Sequence, residues 1–225
     1  VERFGLTPEA TAAIERLLGL IESDDTAPTT VRSRAEALDA HVADSLSGLE
    51  LPAVARARRI ADIGAGAGFP GLVLAAALPD ARVSLVESVG RKSDWLVSAI
   101  AAMGLRNAEP VNARAEAWPE GLGVHDLVTA RALAPLNVLA EYAAPLLAEG
   151  GALVAWKGRR DPAEEADGAA AAQQLGLRAD EIVRVQPFPA ARDRHLHLYL
   201  KVGPTPNGYP RRPGMASKRP LRAST

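Results

Sequence analysis

Between Ile60 and Gly71 the chain reads IADIGAGAGFPG. Asp62 precedes three glycines at alternate positions, Gly64, Gly66 and Gly68, and Pro70 stands where a helix would begin. A strand that enters a helix through a loop nearly free of side chains lets backbone N–H groups close on a cofactor at the helix N-terminus. Two cofactor classes fit. Read as Gly66-x-Gly68-x-x-Gly71, the loop suits a dinucleotide, with Glu87 about twenty residues on as the ribose-binding acid. Read from Asp62 as acid-x-Gly-x-Gly-x-Gly, it suits S-adenosylmethionine. Phe69-Pro70 is bulky and rigid where a pyrophosphate loop wants small residues, so the second reading is preferred and a nicotinamide is the alternative.

The preferred reading distributes roles along the chain. Asp62, Gly64, Gly66 and Gly68 are expected at the cofactor, the backbone around Gly64 to Gly68 approaching its methionine part because glycine leaves room and tolerates φ > 0. Glu87 accepts from both ribose hydroxyls, and Ala115-Glu116 meets the adenine amino group. Arg131 and Lys157 end successive strands, open onto the same crevice and are the catalytic candidates, the arginine orienting a cofactor carboxylate or a substrate phosphate. Without the glycine loop, Glu116 reads as an ordinary solvated acid.

The elements that must hold these residues follow from pattern. Thr7-Pro8-Glu9 starts a helix over 8–22, with Ile14, Leu17, Leu18 and Ile21 on its apolar face. A second helix is expected over 34–46, with Ala37, Leu38, His41, Val42 and Ser45 or Leu46 on one side. His41 and Asp44, three apart, could be functional, but the preferred reading is a helix-surface pair, since that spacing needs no special reason. From Arg59 strands and helices alternate, with strands over 59–63, 82–87, 108–111, 125–130 and 152–157. The intervening helices fall over 70–78, 90–103 (capped by Gly104) and 136–147, the last stopping before Gly150-Gly151. A polar helix over 162–175 and strands over 180–186 and 195–202 follow. The last two strands have no helix between them and should pair antiparallel. This is the α/β class I methyltransferase (Rossmann-like) fold: a mostly parallel seven-stranded sheet, its last strand antiparallel, with N-terminal helices added. Residues 1–50 read as a helical extension, 51–202 as the Rossmann-like domain and 203–225 as a basic tail.

The composition sets limits on the chemistry. The chain has 225 residues, 48% apolar, 4% aromatic and no cysteine. Without cysteine there are no disulfides, thiolate nucleophiles or cysteine-ligated metals, and no metal site is expected. No apolar run approaches the ~20 residues that span a bilayer, so a cytoplasmic protein, not bound to membranes, is expected. The net charge of −1 hides an asymmetry: Gly203 to Thr225 carries five basic residues and no acid. A basic tail on an acidic body points to an anionic partner such as nucleic acid, or to a disordered terminus.

Missing groups narrow the reaction. TARALAPL follows the fourth strand where adenine amino-methyltransferases carry an Asn/Asp-Pro-Pro-aromatic turn. Carbon-5 methylation of pyrimidines needs a cysteine. A ring nitrogen such as guanine nitrogen-7 needs neither base nor covalent intermediate, only in-line placement. Oxygen methylation of small molecules survives this exclusion.

HVADSL, DIGAGAGFPG, LVESVGRKSDWL, ARAE, TARALAPL, WKG, RHLHLYLKV and YPRRPGMASKRPL, in this order and spacing, resemble the bacterial small-subunit rRNA guanine-N(7) methyltransferases, once called glucose-inhibited division protein B. The resemblance covers most of the chain. It implies methyl transfer from S-adenosylmethionine to a guanine in the decoding-region (530) loop of 16S rRNA, within the small ribosomal subunit. A monomer is expected. The family's cofactor positions fall on Gly64, Phe69, Ala115, Glu116 and Arg131. Phe69 is then expected to pack on the cofactor. His125 departs mildly, standing where an aromatic residue usually opens that strand. The tail, with Arg211, Arg212, Lys218 and Arg219, becomes an expected rRNA arm, joined by Arg91 and Lys92. The Arg56, Arg58, Arg59 cluster either extends it or is a solvated strand approach. Truncation after Val202 is expected to spare cofactor binding.

Overall fold

A computed structural model describes residues 2–223. Val1, Ser224 and Thr225, the ends of the N-terminal and tail segments set out above, lie outside the described residues.

Thr7 caps α1 (Pro8–Ser23), its hydroxyl accepting from the Ala10 N–H at 3.2 Å. Burial of Ala10, Ala13, Ile14, Leu17, Leu18 and Ile21 fixes its inner face. The next helical stretch departs from the continuous α-helix expected. It runs as α2 (Arg34–Ala37), a π-helical segment (Leu38–Ala43), α3 (Asp44–Leu46) and a 3₁₀ turn (Ser47–Glu50), then α4 (Pro52–Ala55). A π turn shifts side-chain phase relative to an α-helix, and here Asp44 is buried, only 5% exposed. The solvated His41–Asp44 surface pair is therefore overturned.

The described residues then form a seven-stranded sheet in the order β3-β2-β1-β4-β5-β7-β6. Its strands are β1 (Arg59–Ile63), β2 (Arg82–Val86), β3 (Ala108–Val111), β4 (His125–Arg131), β5 (Leu147–Lys157), β6 (Leu177–Val185) and β7 (Arg194–Lys201). The first five pair parallel; β7 inserts between β5 and β6 and runs antiparallel to both. β1 and β2 are buried at every residue after their first arginine because α5 (Gly71–Ala77) and α6 (Gly90–Met103) join α1 on one face, while α7 (Leu136–Ala143) and α8 (Pro162–Gln174) cover the other. Gly104 caps α6 in the left-handed region, as expected. Strand order reverses between β1 and β4, so the loops after these strands diverge and open a crevice at their carboxyl ends.

Two stretches depart from the sequence pattern. α7 stops at Ala143, not 147, and β5 begins at Leu147 rather than 152. Gly150-Gly151 sits inside that strand at a register shift between His125 and Leu127, so the glycines form a bulge instead of ending a helix. The tail is folded onto the body. Arg211 forms an ion pair with the buried Glu141, Asn137 Nδ2 donates to the Leu221 carbonyl at 2.7 Å, and Ala216 in α9 (Met215–Lys218) is buried.

Candidate active site

The glycine loop is pinned from below. Asp62 Oδ2 accepts the Gly71 N–H at 2.9 Å and Oδ1 accepts the Thr129 hydroxyl at 2.8 Å. Asp62 is 1% exposed, so it cannot touch a ligand and the cofactor contact expected of it is corrected: it ties the start of α5 to β1 and β4. Burial raises its pKa to about 6, against the opposing pull of those hydrogen bonds. Glu87 acts from the other side, Oε2 accepting the Gly66 N–H at 3.1 Å and Oε1 the Val89 N–H at 2.8 Å. Gly64, Gly66 and Gly68 all have positive φ. A Cβ on Gly68 would lie 2.2 Å from Leu72 Cδ1, whereas one on Gly66 would meet little but the Gly64 carbonyl at 3.7 Å. The loop is thus locked beneath and open above.

Above it lies a cavity of about 520 Å³, lined by Gly64 to Ala67 and Phe69 from the loop, Arg131 and Lys157 from the strand ends, and Asp44 from α3. The phase shift of the N-terminal helix makes one wall. Arg131 Nη1 donates to the Ala40 carbonyl at 2.9 Å and to Asp44 Oδ2 at 3.0 Å, and Nη2 donates to His41 Nδ1 at 3.0 Å. A guanidinium only donates, so Nδ1 is the acceptor and the proton sits on Nε2, which donates to Thr29 Oγ1 at 2.8 Å. Burial, then the Arg131 charge, lowers the His41 pKa to about 4. His41 is therefore neutral at pH 7, with both ring nitrogens engaged. Its ring stacks on Phe69 at 4.5 Å, and the Arg131 guanidinium carbon lies 5.4 Å from the Phe69 centroid.

This alters the role expected of Arg131. It lines the cavity, but three of its hydrogen bonds serve the N-terminal wall. Lys157 Nζ is paired with Glu164 at 2.6 Å. Phe69, expected on the cofactor, also carries the His41 stack. The signal for His41 was present in the sequence, since it fell on the apolar stripe of its helix. Thr129, Trp156, whose Nε1 donates to the Asp44 carbonyl at 2.9 Å, and Arg194 were not singled out.

A second hollow, about 90 Å³, shares Gly64 with the first and is lined by Ala115, Glu116 and Tyr142. Leu133 lies between the two, its Cδ1 2.6 Å from where a Gly64 Cβ would stand, just after Ala132 with φ of 53°. Glu116 is not a solvated acid: its side chain is 8% exposed and Oε1 accepts the Gly214 N–H at 2.9 Å. The tail therefore reaches the adenine end of the expected cofactor site.

Among the expected RNA contacts, Arg91, Arg212, Lys218 and Arg219 are exposed and Lys92 lines the larger cavity. Arg211 is corrected: its guanidinium is turned inward, Nε donating to Glu141 Oε1 at 2.7 Å. Arg58 pairs with Asp80, and Arg59 begins β1. That is the amino edge of the sheet, opposite the crevice, so this cluster does not extend the surface at the site.

A parallel sheet closed by an antiparallel β7, with a glycine loop at the end of β1 and an acid at the end of β2, defines a class I S-adenosylmethionine-dependent methyltransferase. A predicted O-methyltransferase from Agrobacterium tumefaciens has the same fold, with TM-score 0.55 and 26% identity over 73% of this chain and 81% of that one. The nicotinamide alternative falls with this architecture. The family described as GidB, rRNA small subunit methyltransferase G, matches residues 22–196. Ribosomal RNA small subunit methyltransferase G of Rubrobacter xylanophilus is 43% identical over 188 residues, 81% of this chain and 72% of that protein. The protein of the same name from Gloeobacter violaceus is 39% identical over 98% of this chain and 90% of its own. The chain belongs to the ribosomal RNA small subunit methyltransferase G family.

Proposed function

We propose that this chain uses S-adenosylmethionine to methylate nitrogen-7 of a guanine in the 530 loop of 16S rRNA, acting as a cytoplasmic monomer on the small ribosomal subunit. When bound, the cofactor supplies an electrophilic methyl group on a sulfonium. Residues that would hold it are the Gly64–Gly68 backbone, Glu87, whose two carboxylate oxygens keep lone pairs for ribose hydroxyls, and Ala115-Glu116 at the adenine end. Gly66 and two alanines leave the floor of the cavity clear for it.

The observation that carries the choice of atom is that each candidate base among the described cavity residues is already paired with a neighbouring group. His41 has both nitrogens committed, Lys157 is paired with Glu164, and the Asp44 carboxylate is ion-paired with Arg131 and Arg194. A hydroxyl or amino acceptor must lose a proton, whereas the nitrogen-7 lone pair of guanine is already available. Catalysis then reduces to holding the base in line. Lys92, Arg131, Lys157 and Arg194 give the cavity a positive rim suited to phosphates. Residues 1–50 supply the wall, 51–202 the sheet and loop, and the exposed cations of 203–225 the contact with rRNA.

Undermodified small subunits incubated with the protein and methyl-labelled S-adenosylmethionine should yield labelled 7-methylguanosine in 16S rRNA. Label on another atom, or none, would refute the proposal.

A further inference from the structure

Asp44 is 5% exposed, and its Oδ1 has no hydrogen-bond partner. The other oxygen is used by Arg131. Arg194 Nε stands 3.4 Å from Oδ1, which offsets its charge but does not make a hydrogen bond. Among the described residues lining the larger cavity, Asp44 is the sole carboxylate, set against four cationic side chains. A buried carboxylate oxygen lacking a donor costs stability. An rRNA site needs cations for phosphate; it needs an acid only where something donates.

We propose that Asp44 Oδ1 is the acceptor that reads the N1–H and 2-amino edge of the target guanine, a specificity-determining contact that rests on the methyltransferase reading above. Guanine carries nitrogen-7 and this donor edge on opposite sides of its rings. With nitrogen-7 facing the glycine loop, the donors point to another wall of the same cavity. Arg194, with a side chain 39% exposed, swings from Oδ1 as the base enters. Phe69 and Trp156 line the same cavity and give its wall an apolar, aromatic character.

The contact also favours the reaction. The nitrogen-7 lone pair forms the new N–C bond as the C–S bond breaks. The bonding pair leaves on sulfur, one positive charge passes to the base, and no proton moves. A cationic purine is a stronger N1–H donor than a neutral one, so the bond to Asp44 tightens along the path and stabilises the transition state more than the bound substrate. The acid that identifies guanine thus also stabilises the charge it acquires.

The test compares wild type with Asp44→Asn on two reconstituted small subunits, one with guanosine at the target position and one with 2-aminopurine riboside. The analogue keeps nitrogen-7 and the 2-amino group but presents a bare N1 acceptor. Wild type should favour guanosine by about 10- to 100-fold in kcat/KM. Asp44→Asn should lose a similar factor on guanosine, and its amide should donate to N1 of the analogue, levelling or reversing the preference. Affinity for S-adenosylhomocysteine should stay within about twofold. A purely structural role would slow both substrates equally, and that result overturns the proposal. So does a wild type that ignores the exchange, a measurement that stands even if the variant fails to fold. If wild type methylates neither substrate and no rRNA at all, the methyltransferase reading itself fails.

Discussion

Asp62→Asn tests whether the acid before the glycine loop holds the fold or touches the ligand. In the native state the carboxyl is fully buried and titrates at about 6, against 3.8 when exposed. Because the folded pKa is the higher, the unfolded chain ionises first. Below about pH 4 the group is neutral in both states and contributes no difference. Between about 4 and 6 the native state loses stability, and above about 6 the loss is constant. Two pKa units at about 1.4 kcal/mol each set it at roughly 3 kcal/mol. Asparagine does not titrate. Its oxygen can accept the Gly71 N–H, and the Thr129 hydroxyl can turn to accept from its amide. The stability of Asp62→Asn relative to wild type should therefore rise by up to about 3 kcal/mol from pH 4 to pH 7. Urea unfolding of both proteins at half-unit steps measures it, and background titrations cancel in the difference. Affinity for S-adenosylhomocysteine should change less than about threefold. A pH-independent difference would refute the burial argument, and loss of cofactor binding with an intact fold would return Asp62 to the ligand shell.

Gly64→Val forces a side chain onto φ of 67° and toward Leu133; S-adenosylhomocysteine affinity should fall more than tenfold, by about 1.4 kcal/mol or more, as titration calorimetry would show. Truncation after Val202 strips Arg211 from Glu141, which is 2% exposed. An uncompensated buried carboxylate costs about 3–5 kcal/mol, so Tm should drop by on the order of 10 °C, and cofactor affinity should fall as Glu116 loses Gly214. An unchanged Tm would contradict the docked tail. Replacing exposed Arg212, Lys218 and Arg219 with alanine should weaken rRNA binding and flatten its dependence on salt by about one unit of slope per lost phosphate contact, with cofactor binding unchanged in the same preparations.

The strands and the helix before Gly104 were legible because parallel sheets bury continuous apolar runs and glycine marks helix ends by φ. Gly150-Gly151 misled because a double glycine is punctuation in either role; only the neighbouring register makes it a bulge. Residues placed by backbone geometry, Gly64 to Gly68, stood where expected. Those placed by side-chain partners did not. Asp62 turned inward to Thr129, and Glu116 and Arg211 were met by groups 98 and 70 residues distant in sequence, respectively. Asp44 was read on α-helical phase as a surface residue, and beside the π turn it is buried instead. Ion pairs of such sequence separation leave no local pattern, so the wall opposite the glycine loop emerged only from the fold.

Mass spectrometry of 16S rRNA from cells lacking the gene, with and without this chain restored, addresses the central claim most directly. Restoration should add one methyl group, as 7-methylguanosine, to a fragment from the 530 loop, and an inactive Gly64→Val chain should not. An identical fragment mass in all strains, or a methyl group elsewhere in the rRNA, would contradict the account.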